Sequence, residues 1–137
     1  MGSREMSVLS SCGGMIRENQ SLAPFTWLQI GGPTRYLVEP NDEQQLMAIV
    51  QSCAAASIPM RVLGSGSNLL IRESGFDGAT FSLTSPAFGQ MRRVNNAIVC
   101  GAGAKLSHLI AFSVGAGLGG LEHLIGIPGT VGGSIAM

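Results

Sequence analysis

Twenty of the 137 residues are glycine, and the chain's capacity for chemistry lies in how they are grouped. Gly64-Ser65-Gly66-Ser67-Asn68 follows Met60 to Leu63, an apolar run that reads as a short strand. Alternating glycine and serine lets successive backbone N–H groups turn toward one point. Such a nest holds a phosphate or pyrophosphate without a lysine. Ser65, Ser67 and Asn68 add side-chain donors, and Leu69 carries the chain onward. The same residues also describe a tight turn with no ligand, and the pattern alone leaves both readings open. In Gly126-Ile127-Pro128-Gly129-Thr130-Val131-Gly132-Gly133, Pro128 stiffens the loop and Thr130 is its one polar handle. Its glycines would let a flat ring lie against the backbone, although a plain turn explains the pattern more simply. Gly115, Gly117 and Gly120 spell GxGxxG but follow a helical segment rather than a strand, which suits a helix end. Lys105 is the chain's single lysine and lies outside any Walker A frame, so P-loop chemistry is excluded.

Acid–base and nucleophilic candidates are poor by comparison. Glu39, Asp42, Glu43 and Asp77 sit at helix starts or turns, where carboxylates cap or are solvated. Glu122 and His123 are neighbours, and adjacent residues on a helix do not face each other. Cys100 has no nearby base and reads as a small buried apolar residue. No GxSxG elbow or Ser-His-Asp spacing occurs. His108 and His123 lack the spacing of a zinc site, so no metal is expected. Eight basic and eight acidic side chains give no net charge, which argues against a nucleic-acid partner. Cys12, Cys53 and Cys100 form no framework and suit a reducing cytoplasm. The longest uncharged apolar stretch, Leu109 to Leu121, is too short and too glycine-rich for a membrane span.

These loops need elements to hold them. Arg35 to Glu39 reads as a strand ended by Pro40. Asn41 with Gln44 matches a capping box, and Leu46, Ile49, Val50 and Cys53 share one helical face before Pro59. With Met60 to Leu63 this predicts a strand–helix–strand unit with a right-handed crossover. Further strands are expected at Leu69 to Ile71 and Ala79 to Leu83, with a turn over Gly75 to Gly78 between them. Thr84 to Asn96 shows no period and marks a boundary. Beyond it come a strand, Ala97 to Cys100, a helix from Lys105 to about Val114, and a helical turn within Leu121 to Ile125. Residues 1–21 read as a mobile tail, 22–84 as a first subdomain and 85–137 as a second. The second is expected to be incomplete, because the chain stops inside the apolar segment Ser134 to Met137, read as a strand without its partner.

An ordered series of short motifs carries a specific resemblance. It comprises Thr26-Trp27-Leu28-Gln29-Ile30-Gly31-Gly32-Pro33, Leu63 to Leu70, Phe76-Asp77-Gly78, Gly101-Ala102-Gly103, Gly117 to Glu122, and Gly126 to Gly133. From about Leu22 to Met137 the chain resembles the N-terminal part of the UDP-N-acetylenolpyruvoylglucosamine reductase (UDP-N-acetylmuramate dehydrogenase) family. The resemblance implies an α+β fold, the two-subdomain FAD-binding module of the vanillyl-alcohol-oxidase type. It implies that Gly64, Ser65, Gly66, Ser67, Asn68 and Leu69 cradle the FAD pyrophosphate. By the same resemblance Ile127, Pro128, Gly129, Thr130, Gly132 and Gly133 lie along the flavin. The family reduces a UDP-sugar enolpyruvate to UDP-N-acetylmuramate in peptidoglycan synthesis, with NADPH as hydride donor, in the cytoplasm. Its catalytic serine, arginine and glutamate would lie C-terminal to Met137, so no catalytic residue is assigned and the chain alone is expected to be inactive. Arg35 and Tyr36 match the family pattern without an assignable role. Two other expectations stand beside this one: another FAD-linked oxidase or dehydrogenase of the same superfamily, and a truncated fragment with no catalytic function.

Overall fold

The computed structural model describes residues 2–136. Two units follow one another along the chain. The first is a four-stranded sheet covered by helices. Its strands are β1 (Met15–Ser21), β2 (Pro33–Glu39), β3 (Met60–Leu63) and β4 (Phe76–Ser82), and its helices are α1 (Gly2–Ser11) and α2 (Glu43–Ala55). The sheet order is β1-β2-β4-β3. The β1 edge is antiparallel to β2, while β2, β4 and β3 run parallel. The second unit is an antiparallel hairpin, β5 (Met91–Val94) and β6 (Ala97–Cys100), followed by α3 (Leu106–Gly115) and α4 (Val131–Ala136). This is the α+β class expected.

Strand β2 is buried on both faces because it is covered on both. Tyr36 and Val38 join Leu9, Ile49, Cys53, Ile58, Ala79 and Phe81 in the core beneath α1 and α2. Leu37 points the other way, into a smaller cluster with Leu22 and Leu63. Parallel strands buried on both sides read as near-continuous apolar runs, which is why RYLVE was legible. Burying Ile49 completely contributes about 1.5–3 kcal/mol. Thr34 is the polar member of this strand. Its hydroxyl donates to Gly78 O at 3.1 Å and lies 2.8 Å from the Thr80 hydroxyl, which can donate to it, so the buried group is satisfied.

Several expectations needed correction. Residues 2–21 are not a loose tail. Leu9 is 1% exposed in the core, and β1 pairs with β2 from Met15↔Glu39 to Ser21↔Pro33. Few residues of this segment are apolar, yet Leu9 is one of them and the strand's hydrogen bonds come from the backbone. Composition measures neither. Met1 lies outside the described residues. The capping residue of α2 is Asp42, not Asn41. Its carboxylate accepts from Gln45 N–H at 2.9 Å, and Gln45 Oε1 accepts from Asn41 N–H at 2.9 Å. The cap thus lies one residue later than read, and Gln45 reaches back to the N–H before it rather than to the cap's own. The β2-α2-β3 unit exists, but β4 sits between its two strands, a crossover that local sequence does not encode.

Leu69 to Ile71 is loop, not strand: Ile71 packs on the Leu22 cluster rather than pairing into the sheet. The expected turn at Gly75–Gly78 becomes strand from Phe76 onward, because Phe76 pairs with Thr34 and Ala79 with Tyr36 and Met60; Gly78 passes close to Pro59 O and the Phe76 ring, where a side chain would intrude. The unperiodic stretch contains β5. It pairs with β6 across Asn95-Asn96, and Asn95 adopts φ +54°. Residues 131–136 form helix α4 rather than a strand. Met137 is outside the described residues.

Candidate functional site

The first glycine cluster begins where β3 ends. Gly64 follows Leu63 directly, and the loop turns back at Gly66, whose φ is +67°. A Cβ on Gly66 would overlap the Phe25 carbonyl oxygen and lie 2.9 Å from Thr26 Cα. Only glycine fits so close an approach with a left-handed backbone. The contact is cemented by the Trp27 N–H donating to Gly66 O at 3.2 Å. Thr26 is itself buried, and its hydroxyl bonds the carbonyls of Ala23 and Ile30. The Thr26–Gly32 segment is thus a brace for the glycine loop. The Ser65 and Ser67 hydroxyls lie 3.4 Å apart on the loop's open side.

The second cluster comes from the other unit, more than sixty residues along the chain. Backbone bonds pin it to the turn after β6. Leu106 N–H donates to Gly129 O at 3.0 Å, Val131 N–H to Ala104 O at 2.9 Å, and Gly132 N–H to Ala102 O at 2.9 Å. Gly129 takes φ +132°, and a Cβ there would point at the hydroxyls of Ser67 and Ser65, 3.6 and 3.7 Å away. Thr130 Oγ1 accepts from Gly133 N–H at 3.2 Å and faces Gly64, whose Cβ would be 2.9 Å from it. The two clusters therefore face each other with nothing larger than a hydroxyl between them.

Between them runs a cleft off the carboxyl ends of β3 and β4. Open parallel sheets bind ligands at that end of their strands. A narrow part of about 140 Å³ is lined by all six residues from Gly64 to Leu69, together with Pro128, Gly129, Thr130, Gly133 and Ser134. A wider part of about 670 Å³ continues past Gly64, Ser65 and Thr130 to Leu83, Thr84, Ala102, Gly103, Lys105 and Gly132. Eleven of the twelve residues that the sequence singled out line one part or the other. Ile127 lines neither; it is 41% exposed.

Sequence reading passed over Val62, Leu83, Thr84, Ala102, Gly103, Lys105 and Ser134. Gly101-Ala102-Gly103 was the available signal, since Gly103 lies tight against Leu83 O and Phe88. Leu83 and Thr84 gave none, because they reach the cleft only through where β4 ends.

Arg35 and Tyr36 are far from this cleft in role. Arg35 Nε donates to Asp77 Oδ1 at 2.6 Å and Nη1 to Glu5 Oε2 at 3.4 Å, and Tyr36 Oη donates to Glu5 Oε2 at 3.0 Å. Together they tie α1 to β2 and β4. The hydrogen bond from Arg35 holds the Asp77 carboxyl below its ordinary range, and the same bond raises Arg35. Burial, then the Glu5 hydrogen bond, pushes the Tyr36 phenol up. Beside the cleft-bearing unit, Glu122 folds back on its own N–H and on Gly120 N–H, at 2.7 Å in the latter case, which holds its carboxyl low. Gly117 and Gly120 have φ of +69° and +104° and form the exit from α3, as a helix end requires. Among the described residues no three His, Cys, Asp or Glu side chains gather as a metal site. No helix among them is long and apolar enough to cross a membrane.

Two facing glycine clusters across the seam of two small α+β units define a class. Residues 34–137 match the FAD binding domain family, and the chain belongs to it. The residues present fit that cofactor's diphosphate: the cleft is lined by the glycine and serine backbone of Gly64 to Ser67, and a Cβ on Gly64 would meet the Thr130 hydroxyl at 2.9 Å and narrow it.

More particularly, the chain is similar to UDP-N-acetylenolpyruvoylglucosamine reductase. It is 46% identical to the reductase of Rhodopirellula baltica over 121 residues, 88% of this chain and 40% of that protein. With the Orientia tsutsugamushi reductase it shares 40% over 133 residues, 94% of this chain and 43% of the relative. The crystal structure of the Thermus caldophilus enzyme superposes with a TM-score of 0.62 at 30% identity, covering 89% of this chain and 41% of that one. The chain thus spans about 40% of the length of the reductases it matches.

Proposed function

We propose that this chain is the FAD-holding portion of a UDP-N-acetylenolpyruvoylglucosamine reductase. The observation that carries the reading is the meeting of two glycine clusters, remote in sequence, at Gly64 and Thr130. Gly64, Ser65, Gly66, Ser67, Asn68 and Leu69 would hold the diphosphate through backbone N–H groups and hydroxyls. Pro128, Gly129, Thr130, Gly132 and Gly133 would lie along the ring system, with Ile127 at the margin. When bound, the cofactor supplies hydride chemistry; the protein supplies binding, orientation and exclusion of water. In the whole protein the reaction would be NADPH-dependent reduction of a UDP-sugar enolpyruvate for peptidoglycan synthesis, a cytoplasmic step that serves cell shape and division. This chain's share of that reaction is the binding of the cofactor.

The test is a titration of the purified chain with FAD, read by flavin fluorescence and by thermal unfolding. Saturable quenching is expected, and at a hundredfold excess over Kd a stabilisation of about 2.7 kcal/mol. A chain whose unfolding temperature is unmoved by millimolar FAD would overturn the reading.

A further inference from the structure

Lys105 was left aside by the sequence reading because it belongs to no phosphate-binding motif. The structure gives it a place. It lines the wide part of the cleft with Gly64, Ser65 and Thr130, and it bridges Thr130 as an antiparallel backbone partner. Its backbone is further fixed by the next residue, since Leu106 N–H donates to Gly129 O at 3.0 Å. The side chain is exposed to solvent, and no ion pair ties it to another described residue.

Among the described residues lining both parts of the cleft, Lys105 alone carries a charge; the rest are glycine, alanine, serine, threonine, asparagine, proline or aliphatic. A diphosphate is a dianion. Backbone N–H groups in a nest offer it only partial charges. A single cation in an otherwise neutral cleft draws an anion without competition from neighbouring carboxylates. An ammonium on a long flexible stem is suited to phosphate as a mobile point charge. We infer that Lys105 pairs with the cofactor's diphosphate from the α3 side, closing across the cleft onto the anion that the Gly64–Leu69 loop holds from the β3 side. The inference rests on the FAD reading above and adds a residue that the glycine motifs do not contain.

The test compares the chain with Lys105→Met and Lys105→Arg, titrated with FAD and with riboflavin, which has the ring but no phosphate. Each titration is run from low to high salt. Loss of the ion pair should weaken FAD about tenfold in Lys105→Met. It should also flatten the salt dependence of FAD affinity, leave riboflavin unaffected, and be largely restored in Lys105→Arg. Equal FAD affinity and salt slope in Lys105→Met and the parent would overturn the inference while leaving FAD binding intact. Equal weakening of FAD and riboflavin would also overturn it, since the lysine would then only shape the cleft. A parent chain that binds neither flavin would bring down the cofactor reading and this inference together.

Discussion

Gly66→Ala should destabilise the chain far more than Gly117→Ala, although the two glycines share nearly the same φ, +67° and +69°. Placing a Cβ in the left-handed region costs about 1–2 kcal/mol, and both variants incur that. Around Gly117 nothing lies within 4 Å of the added carbon. At Gly66 the added carbon overlaps the Phe25 carbonyl oxygen and lies 2.9 Å from Thr26 Cα, and both are backbone atoms of a segment held by the buried Thr26. Forcing extra volume into a fixed site costs about 1–3 kcal/mol more. Gly66→Ala should therefore cost about 2–5 kcal/mol, against a total stability of about 5–15 kcal/mol for a domain. Urea unfolding followed by circular dichroism measures this directly. With a slope of about 1–3 kcal/mol per molar, the additional cost of about 1–3 kcal/mol should lower the midpoint of Gly66→Ala by about 1 M, roughly 0.3–3 M, relative to Gly117→Ala. FAD affinity should fall in Gly66→Ala and stay unchanged in Gly117→Ala. Equal midpoints for the two variants would refute the claim that the loop is held against a rigid brace.

The other predictions concern the sheet and the N-terminal segment. Leu9→Ala should cost about 2–5 kcal/mol in thermal or urea unfolding, because Leu9 is buried in the main core; a residue in a loose tail would cost nothing measurable. Thr34→Val should cost about 1–3 kcal/mol by leaving the Thr80 hydroxyl without its partner, and the double variant Thr34→Val/Thr80→Val should cost less than the sum of the singles. Stability should decline in alkali. Burial raises the Cys53 thiol and the Tyr36 phenol in the folded chain, so each keeps its proton more tightly folded than unfolded. The contribution is full below the ordinary thiol value of 9.0 and is lost as pH rises through the folded value. Cys53→Ala should flatten that decline in unfolding midpoints taken between neutral pH and the alkaline limb, even though it lowers stability at neutral pH.

Much of the candidate cleft was legible because glycine lines so much of it. A glycine cluster announces a backbone that must turn tightly or be approached closely; that signal singled out Gly64 to Leu69 and Ile127 to Gly133 but left a plain turn open for each, and only the ordered series of family motifs decided between the readings. The α2 face was likewise legible, since Leu46, Ile49 and Cys53 repeat with the helical period, and RYLVE declared a strand buried on both sides. The capping residue was misread by one position because Asn41 and Asp42 are both good caps, each with a glutamine three residues on. Only the folded backbone chooses which carboxamide or carboxylate faces the helix end.

Other features were set by contacts that no local pattern carries. Residues 15–21 have no strand-like alternation, and they become β1 because β2 offers an open edge to pair with. Leu69 to Ile71 has the apolar content of a strand, yet it pairs with none, and Ile71 packs on the Leu22 cluster instead. Lys105 stands in no motif; the turn after β6 and the bridge to Thr130 bring it to the cleft. The sequence by itself determined which backbone stretches can curl around an anion, because that property belongs to residue type. The tertiary structure decided that two such stretches, held by separate units, face one another across a single cleft, because that depends on backbone bonds from the turn after β6, which pin Gly129 to Gly132 opposite the end of β3.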